Sequence, residues 1–148
     1  AMCADKGIVC VDLAGNDGVG SWKKVNFPAD AKDILTVGSI NEHGMNAAFS
    51  AVGPTADGRI KPDVMAFGSP TCVITGRGSI INDNGTSFSS PLVAGMVACL
   101  WQALPGKTAK QIIKLVKLAG DNQQHPDNVF GYGVPDFWKA YQTGKAIK

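Results

Sequence analysis

The chain has 148 residues, of which 45% are hydrophobic and 18% are charged, and its net charge is +2. This composition is typical of a folded α/β domain and differs from that of a linker or a disordered tail. The charge is too small to indicate a nucleic-acid or membrane partner, and the longest apolar stretch, residues 91–104, is too short to span a bilayer.

The first half of the sequence predicts a helix end followed by strands. Residues 1–6 resemble the last part of a helix, and apolar runs predict strands over 7–14, 33–40 and 46–52. The polar turn 41–44 is expected to join the second and third strands as a hairpin.

The second half predicts short strands and then helices. Strands are expected over 64–66, 71–75 and 79–81. A helix from residue 87 to about residue 104 is apolar on nearly all sides, which predicts burial in the middle of the protein. Thr108 and Gln111 form a capping box that opens a second helix, and a last helix starts near Asp136. This alternation of strands and helices predicts an α/β fold.

Ser87 is the first candidate for chemistry, because it lies among small residues at the point where the apolar helix begins. The first N–H groups of a helix have no intrahelical acceptor, and their partial positive charge favours a developing oxyanion. A hydroxyl in this position is typical of a nucleophile.

The run Gly-Thr-Ser-Phe-Ser-Ser-Pro-Leu-Val-Ala-Gly at residues 85–95 resembles the active-site serine motif of the subtilisin-like serine proteases, the subtilases. Further segments resemble that family in the same order, and Phe67 stands where the family usually has proline. These segments are residues 7–18, 49–54, 61–68 and 131–135. The resemblance covers nearly the whole chain and implies a subtilisin-like fold, with a largely parallel sheet flanked by helices.

The resemblance also implies roles for two residues in peptide-bond hydrolysis. Ser87 would attack the scissile carbonyl and form an acyl-enzyme. Asn16, in the turn after the strand 7–14, would donate its side-chain amide to the oxyanion hole.

The same resemblance places a substrate pocket beside this turn. Leu13, Ala14 and Gly15 would form one wall of the pocket for the residue before the scissile bond. Asn26 precedes Phe27-Pro28, which resembles a family segment with a cis peptide, and it falls where many relatives have glycine at the pocket floor. We therefore expect a pocket that is shallower and more polar than in relatives that accept large apolar side chains.

The sequence offers no base for Ser87. In subtilases the triad runs Asp, His, Ser along the chain, and the first two lie upstream of the asparagine strand. His43 and His125 lack the family's His-Gly-Thr context and are expected in surface loops. Residues 1–148 are therefore interpreted as the C-terminal portion of a single subtilase catalytic domain, with the N-terminal half missing and no activity alone.

This interpretation implies partners. They are a polypeptide substrate and the missing N-terminal half of the domain, and no nucleic acid or membrane is expected. Removing half of such a sheet would expose an edge and apolar surface, so the fragment is expected to form homo-oligomers, with a homodimer as one form. Family resemblance indicates a secreted or cell-envelope location.

The cysteines do not predict a metal site. They show no Cys-x-x-Cys spacing and no histidine partner at metal-site distance, and no loop is dense in carboxylates. We expect no metal and no cofactor, and we favour free thiols, with a disulfide left as an alternative. The four cysteines of the chain are Cys3, Cys10, Cys72 and Cys99.

The sequence leaves two other function classes open. A pseudoprotease or protein-interaction domain would keep the subtilase fold without the upstream triad residues, although it would need neither Ser87 nor Asn16. Residues 15–20 superficially resemble a phosphate-binding loop, but they lack the Gly-Lys-Ser/Thr ending and an immediately following helix. A nucleotide-binding module is therefore the weakest alternative.

Overall fold

The computed structural model describes residues 2–147. Helices and strands alternate along the chain, with one hairpin before the longest helix. The elements are α1 (Met2–Asp5), β1 (Val11–Leu13), β2 (Leu35–Asn41), β3 (Val64–Ser69), β4 (Thr71–Ile74), β5 (Ile80–Asp83), α2 (Thr86–Ala103), α3 (Ala109–Leu118) and α4 (Phe137–Ala146).

β1, β2 and β3 form a parallel sheet in that order, which agrees with the predicted fold class. Residues 35–39 of the central strand β2 are buried, as expected for a parallel strand that is covered on both faces. Because the strands are parallel, the loops after β1 and β3 leave from the same edge of the sheet. β4 and β5 form a separate antiparallel hairpin between β3 and α2.

The main core lies between the sheet and the helices. Side chains of β2 and β3 pack with the buried face of α2 and with α3, and Ala4 and Ala140 add contacts from α1 and α4. The largest fully buried apolar side chains are those of Leu35, Met65, Ile112, Val37, Val64, Val93 and Val116.

A buried ion cluster joins the start of β3 to α3. Asp63 accepts hydrogen bonds from Lys61 Nζ at 2.6 Å and from Lys117 Nζ at 2.8 Å. Its carboxylate also accepts the Thr36 N–H at 2.9 Å, which links β3 to β2. Burial lowers the pKa of Lys61, because desolvation disfavours the charged ammonium, and the Asp63 carboxylate opposes that shift. No sequence motif predicts this cluster.

Most predicted strands are confirmed, but the strand predicted over 46–52 is wrong. That segment has only single bridges, from Asn46 to Ile40 and from Val52 to Lys24. Its backbone instead binds two different parts of the molecule, since Ala47 N–H donates to Ser39 and Ala51 N–H donates to Gly15. The segment therefore crosses from β2 to the loop after β1, and the expected hairpin is reduced to one bridge.

The predicted helices are confirmed with small shifts at their ends. Thr108 Oγ1 accepts from Gln111 N–H, and Gln111 Oε1 accepts from Thr108 N–H, which completes the capping box of α3. Asp136 caps α4 by accepting from Lys139 N–H. Of the predicted helix end 1–6, residues 2–5 form α1, and Ala1 lies outside the described residues.

The prediction that α2 is buried in the middle of the protein is wrong for the described residues. Val93, Val97 and Leu100 pack into the core, but Leu92 and Met96 are 51% and 45% exposed. The sheet, α3 and α4 cover only one side of this apolar helix. We call the other side the α2 face, and it comprises Leu92, Met96, Cys99 and the neighbouring Trp138 of α4.

The α2 face includes a groove of about 410 Å³ between α2 and α4. Among residues 2–147, no helix combines the length and the apolar character needed to cross a membrane.

Candidate active site

The loop after β1 carries Asn16 away from the sheet. Ala14 N–H donates to the Val37 carbonyl at 2.9 Å, which continues the pairing with β2 for one residue beyond β1. Gly15 then adopts a φ of +111°, in the region that favours glycine, and the chain turns outward. Asn16 is consequently exposed at the edge of the sheet where the strands end.

Ser87 lies in the first turn of α2, and the end of β3 fixes the start of this helix. Gly85 N–H donates to the Gly68 carbonyl at 3.0 Å. Gly85 is the N-cap residue and provides no side chain to cap the first N–H groups. Ser87 is exposed, and its hydroxyl and backbone N–H form no hydrogen bond with any other residue among 2–147.

Thr86 holds Asn16 beside this helix start. Asn16 Oδ1 accepts from the Thr86 backbone N–H at 3.0 Å and from Thr86 Oγ1 at 2.8 Å. Because both bonds go to the oxygen, the amide nitrogen Nδ2 remains a free donor within the described part of the chain. Nδ2 lies next to Gly85, 3.6 Å from the position that a Cβ would occupy there.

This arrangement brings a free hydroxyl close to two free N–H donors. The donors are Asn16 Nδ2 and the Ser87 backbone N–H, and both have the chemistry that stabilises a developing oxyanion. A proton acceptor for the hydroxyl is absent among residues 2–147. Neither His43 nor His125 binds Ser87, and His43 instead lies 3.7 Å from Glu42 in an exposed turn.

The predicted pocket residues lie together. Asn26 N–H donates to the Ala14 carbonyl at 3.1 Å, and Asn26 Nδ2 donates to Asp17 Oδ2 at 2.8 Å. A Cβ on Gly15 would lie 2.7 Å from Asn26 Nδ2, so the Asn26 amide packs directly against Gly15. The Phe27–Pro28 peptide is cis.

Gly68, near the end of β3, packs closely against the start of α2. A Cβ on Gly68 would lie 2.2 Å from Ser89 Oγ and 2.5 Å from Ser39 Oγ. Both hydroxyls are buried and have no hydrogen-bond partner among the described residues. The end of β3 therefore approaches the start of α2 as closely as a residue without a side chain allows.

The contributions of Thr86, Gly68 and Asp17 are not predicted by the sequence motifs. Thr86 directly precedes Ser87 and Asp17 directly follows Asn16, so adjacency to the candidate residues was the available signal. Which atoms they contact depends on bringing residues 16 and 86 together, and no local pattern contains that information. Among residues 2–147, no group of three His, Cys, Asp or Glu side chains is arranged to hold a metal ion.

Comparisons with known proteins agree with the motifs. The sequence model of the subtilase family matches residues 2–133. The chain is 32% identical to the subtilisin-like protease SBT6.1 of Arabidopsis thaliana, over 94% of this chain and 14% of that protein. It is 29% identical to the serine protease AprX of Bacillus subtilis (strain 168), over 86% of this chain and 33% of that protein.

A solved structure has the same fold. The self-cleaved protease domain of PatA superimposes with a TM-score of 0.79 and 24% identity, over 98% of this chain and 53% of that one. The chain thus spans about half of that domain and a smaller part of the two full-length relatives. Because the family model matches most of the sequence, the chain belongs to the subtilase family, peptidase family S8.

Proposed function

We propose that this chain carries the nucleophile and the oxyanion hole of a subtilisin-type serine endopeptidase. The observation that carries the proposal is the pair of hydrogen bonds from Thr86 to Asn16 Oδ1. They hold the asparagine so that its amide donor stays free beside the exposed Ser87. A serine at an ordinary helix start would not need a distant asparagine fixed in this way.

In the proposed reaction, the Ser87 hydroxyl attacks the peptide carbonyl while a base takes its proton. Negative charge then develops on the former carbonyl oxygen, and Asn16 Nδ2 and the Ser87 N–H donate to it. The intermediate collapses to an acyl-enzyme and releases the amine, which receives a proton from the base. Water then hydrolyses the ester to restore Ser87.

We further propose that the base and its orienting carboxylate are supplied by residues outside this chain. Ser87 has no hydrogen-bonding base among residues 2–147, and the PatA protease domain is about twice as long. Residues 1–148 would then be the C-terminal portion of one catalytic domain and would be inactive alone.

The pocket residues support a proposal about the substrate. The Asn26 amide occupies the space against Gly15, and Asp17 holds it there. Together with Leu13 and Ala14, this arrangement would make a shallow, polar pocket for the residue before the scissile bond. Peptides with a small or polar residue at that position should be cleaved faster than otherwise identical peptides with Phe or Leu, and a strong preference for Phe or Leu would refute this part.

The direct test uses the protein expressed from the full open reading frame that contains this sequence. Wild-type protein should cleave a denatured protein substrate, and Ser87→Ala should not. Ser79→Ala, an exposed serine in the β4–β5 turn, is the matched control and should leave activity unchanged. Asn16→Leu should lower kcat about 10²- to 10³-fold, a magnitude carried over from the matching asparagine of subtilisin rather than calculated for this site.

The alternative is a pseudoprotease or protein-interaction domain. Folded wild-type protein that cleaves no peptide bond, with Ser87→Ala indistinguishable from it, would favour that alternative. Cleavage that survives in Ser87→Ala would refute the assignment of the nucleophile.

A further inference from the structure

A cavity of about 380 Å³ lies between residues 31–34, residues 59–63 and α3. Its volume is within the range of small-molecule binding sites. Four basic and two acidic side chains line it, and none of them belongs to the candidate active site. They are Lys32, Arg59, Lys61, Lys117, Asp33 and Asp63.

The buried part of this wall has one carboxylate for two ammonium groups. The Asp63 side chain is 3% exposed, and it binds Lys61 Nζ at 2.6 Å and Lys117 Nζ at 2.8 Å. The Lys61 and Lys117 side chains are 4% and 27% exposed. The cluster therefore keeps one positive charge that its own carboxylate does not balance, and an unbalanced charge that is removed from water is costly.

The other acidic side chain of the cavity does not balance this charge. Asp33 is 39% exposed and lies 3.4 Å from Lys110 Nζ, so its charge is paired outside the cavity and screened by water. Burial lowers the pKa of Lys61, Asp63 opposes that shift and Lys117 adds to it. A further negative charge in the cavity would therefore favour the charged form of Lys61.

Hydrogen-bond donors also remain on this wall. Lys117 Nζ has three N–H groups and gives one to Asp63. Arg59 binds Asp57 through Nε, and its Nη1 has no acceptor among residues 2–147. Ammonium and guanidinium groups are the donors that commonly bind phosphate and carboxylate groups in proteins.

We propose that this cavity binds a small organic anion, with its phosphate or carboxylate group against Lys117 and Arg59 and its apolar body against Tyr132. The Tyr132 ring centre lies 4.7 Å from Lys117 Nζ, so an aromatic wall stands next to the charged one. Ile34 and Ile113 add apolar surface. The anionic group would balance the buried charge, and the apolar body would fill the remaining space.

Isothermal titration calorimetry with phenyl phosphate and benzoate tests the site on protein from the full open reading frame. Every sample carries Ser87→Ala to prevent proteolysis, because Ser87 does not line the cavity. At least one of the two anions should bind, whereas phenol, which has the ring without the anionic group, should not. Tighter binding of phenyl phosphate would assign a phosphate ligand, and tighter binding of benzoate would assign a carboxylate ligand.

Two variants and a matched control locate the binding. Lys117→Gln should weaken binding of the preferred anion about tenfold, because it removes a charge-assisted hydrogen bond while Asp63 keeps Lys61 as its partner. Arg59→Gln should weaken it as well. Lys114→Gln removes the same charge from an exposed position of α3 outside the cavity and should leave binding unchanged.

Thermal melting followed by circular dichroism shows that each variant is folded before it is titrated. The absence of binding by both anions would overturn the proposal, as would phenol binding as tightly as the anions. Equal binding by folded Lys117→Gln, Arg59→Gln and Lys114→Gln would overturn it too, because the anion would then lie elsewhere.

Discussion

Asn16 shows how a residue far away in sequence sets the direction of one side chain. An exposed asparagine in a glycine-containing turn would ordinarily rotate freely, because neither end of its amide is fixed. Thr86 offers two donors to Oδ1, and Thr86 is itself fully buried. The asparagine therefore keeps its oxygen turned towards Thr86 and its Nδ2 donor free, which is the preorganisation that the proposed oxyanion role requires.

The close approach of Gly68 to the start of α2 gives a stability prediction. Gly68→Ala should lower the free energy of unfolding by about 1–3 kcal/mol, because the added Cβ overlaps two buried hydroxyls and the backbone must shift. Urea denaturation of the chain would measure it. Gly76→Ala is the matched control, since Gly76 has open space around its Cβ position, and it should change stability by less than about 0.5 kcal/mol. Equal effects of the two variants would contradict the proposed packing.

Local chemistry made Ser87 a candidate, because it lies at the start of an apolar helix. Asn16 became a candidate through the resemblance of its segment to the subtilase family, since an asparagine in a glycine-containing turn is ordinary by itself. Neither signal predicts Thr86, because its hydrogen bonds cross 70 residues of sequence.

At the scale of the elements, the loop 55–59 is a short charged turn that is held together by hydrogen bonds and is bonded to a second segment of the chain. Asp57 accepts both Arg59 Nε, at 2.9 Å to each carboxylate oxygen, and Thr55 Oγ1 at 2.6 Å. Arg59 in turn donates to the Asp30 carbonyl at 2.8 Å, close to the segment that carries Asn26. Arg59 therefore ties this loop to the segment that follows Asn26.

This loop gives a pH prediction. The hydrogen bond from Arg59, followed by that from Thr55, lowers the pKa of Asp57 from its ordinary 3.8 to about 2. A carboxylate with a depressed folded-state pKa contributes stability that is fully present above 3.8 and is lost as the pH falls towards 2. The difference in melting temperature between wild type and Asp57→Asn should therefore be constant above that window and shrink within it.

Carboxyl-carbon NMR titration would locate the midpoint directly. Wild-type Asp57 should titrate near 2, and Arg59→Gln should move the midpoint back towards 3.8. An unchanged midpoint in Arg59→Gln would contradict the assigned cause.

Elements were predictable where a periodic apolar pattern coincided with local signals at the ends. The capping box at Thr108 and the cap at Asp136 fixed the starts of α3 and α4. The strand prediction for residues 46–52 was wrong because an apolar run alone does not show which backbone groups it will bind. Ser39 and Gly15 supply those partners, and they lie on two different elements.

At the scale of the whole molecule, the most unusual feature is the α2 face, because it exposes large apolar side chains that are ordinarily buried in a protein core. Leu92, Met96 and Trp138 are 51%, 45% and 66% exposed on adjoining helices. The sequence predicts a helix that is apolar on nearly all sides, and that pattern is present in α2. The burial of α2 differs from the prediction, because the described residues cover only one side of the helix.

We propose that this chain, studied alone, self-associates through the α2 face, because pairing removes apolar surface from water. Light scattering at tens of micromolar should give a mass above that of the 15.4 kDa monomer. Met96→Glu should shift the chain towards the monomer, whereas Val19→Glu makes the same chemical change at a residue 73% exposed in the loop after Asn16 and should not. A monomeric wild-type chain would refute self-association, and equal effects of both variants would refute the assignment of the face.

The most direct test of the central claim is site-resolved labelling with a serine-directed fluorophosphonate. Protein from the full open reading frame should gain one label, and peptide mapping should place it on Ser87. The 148-residue chain alone should remain unlabelled, because none of its described residues offers a base to that hydroxyl. A folded full-length protein that takes no label, or takes it on another serine, would contradict the assignment of Ser87 as the nucleophile.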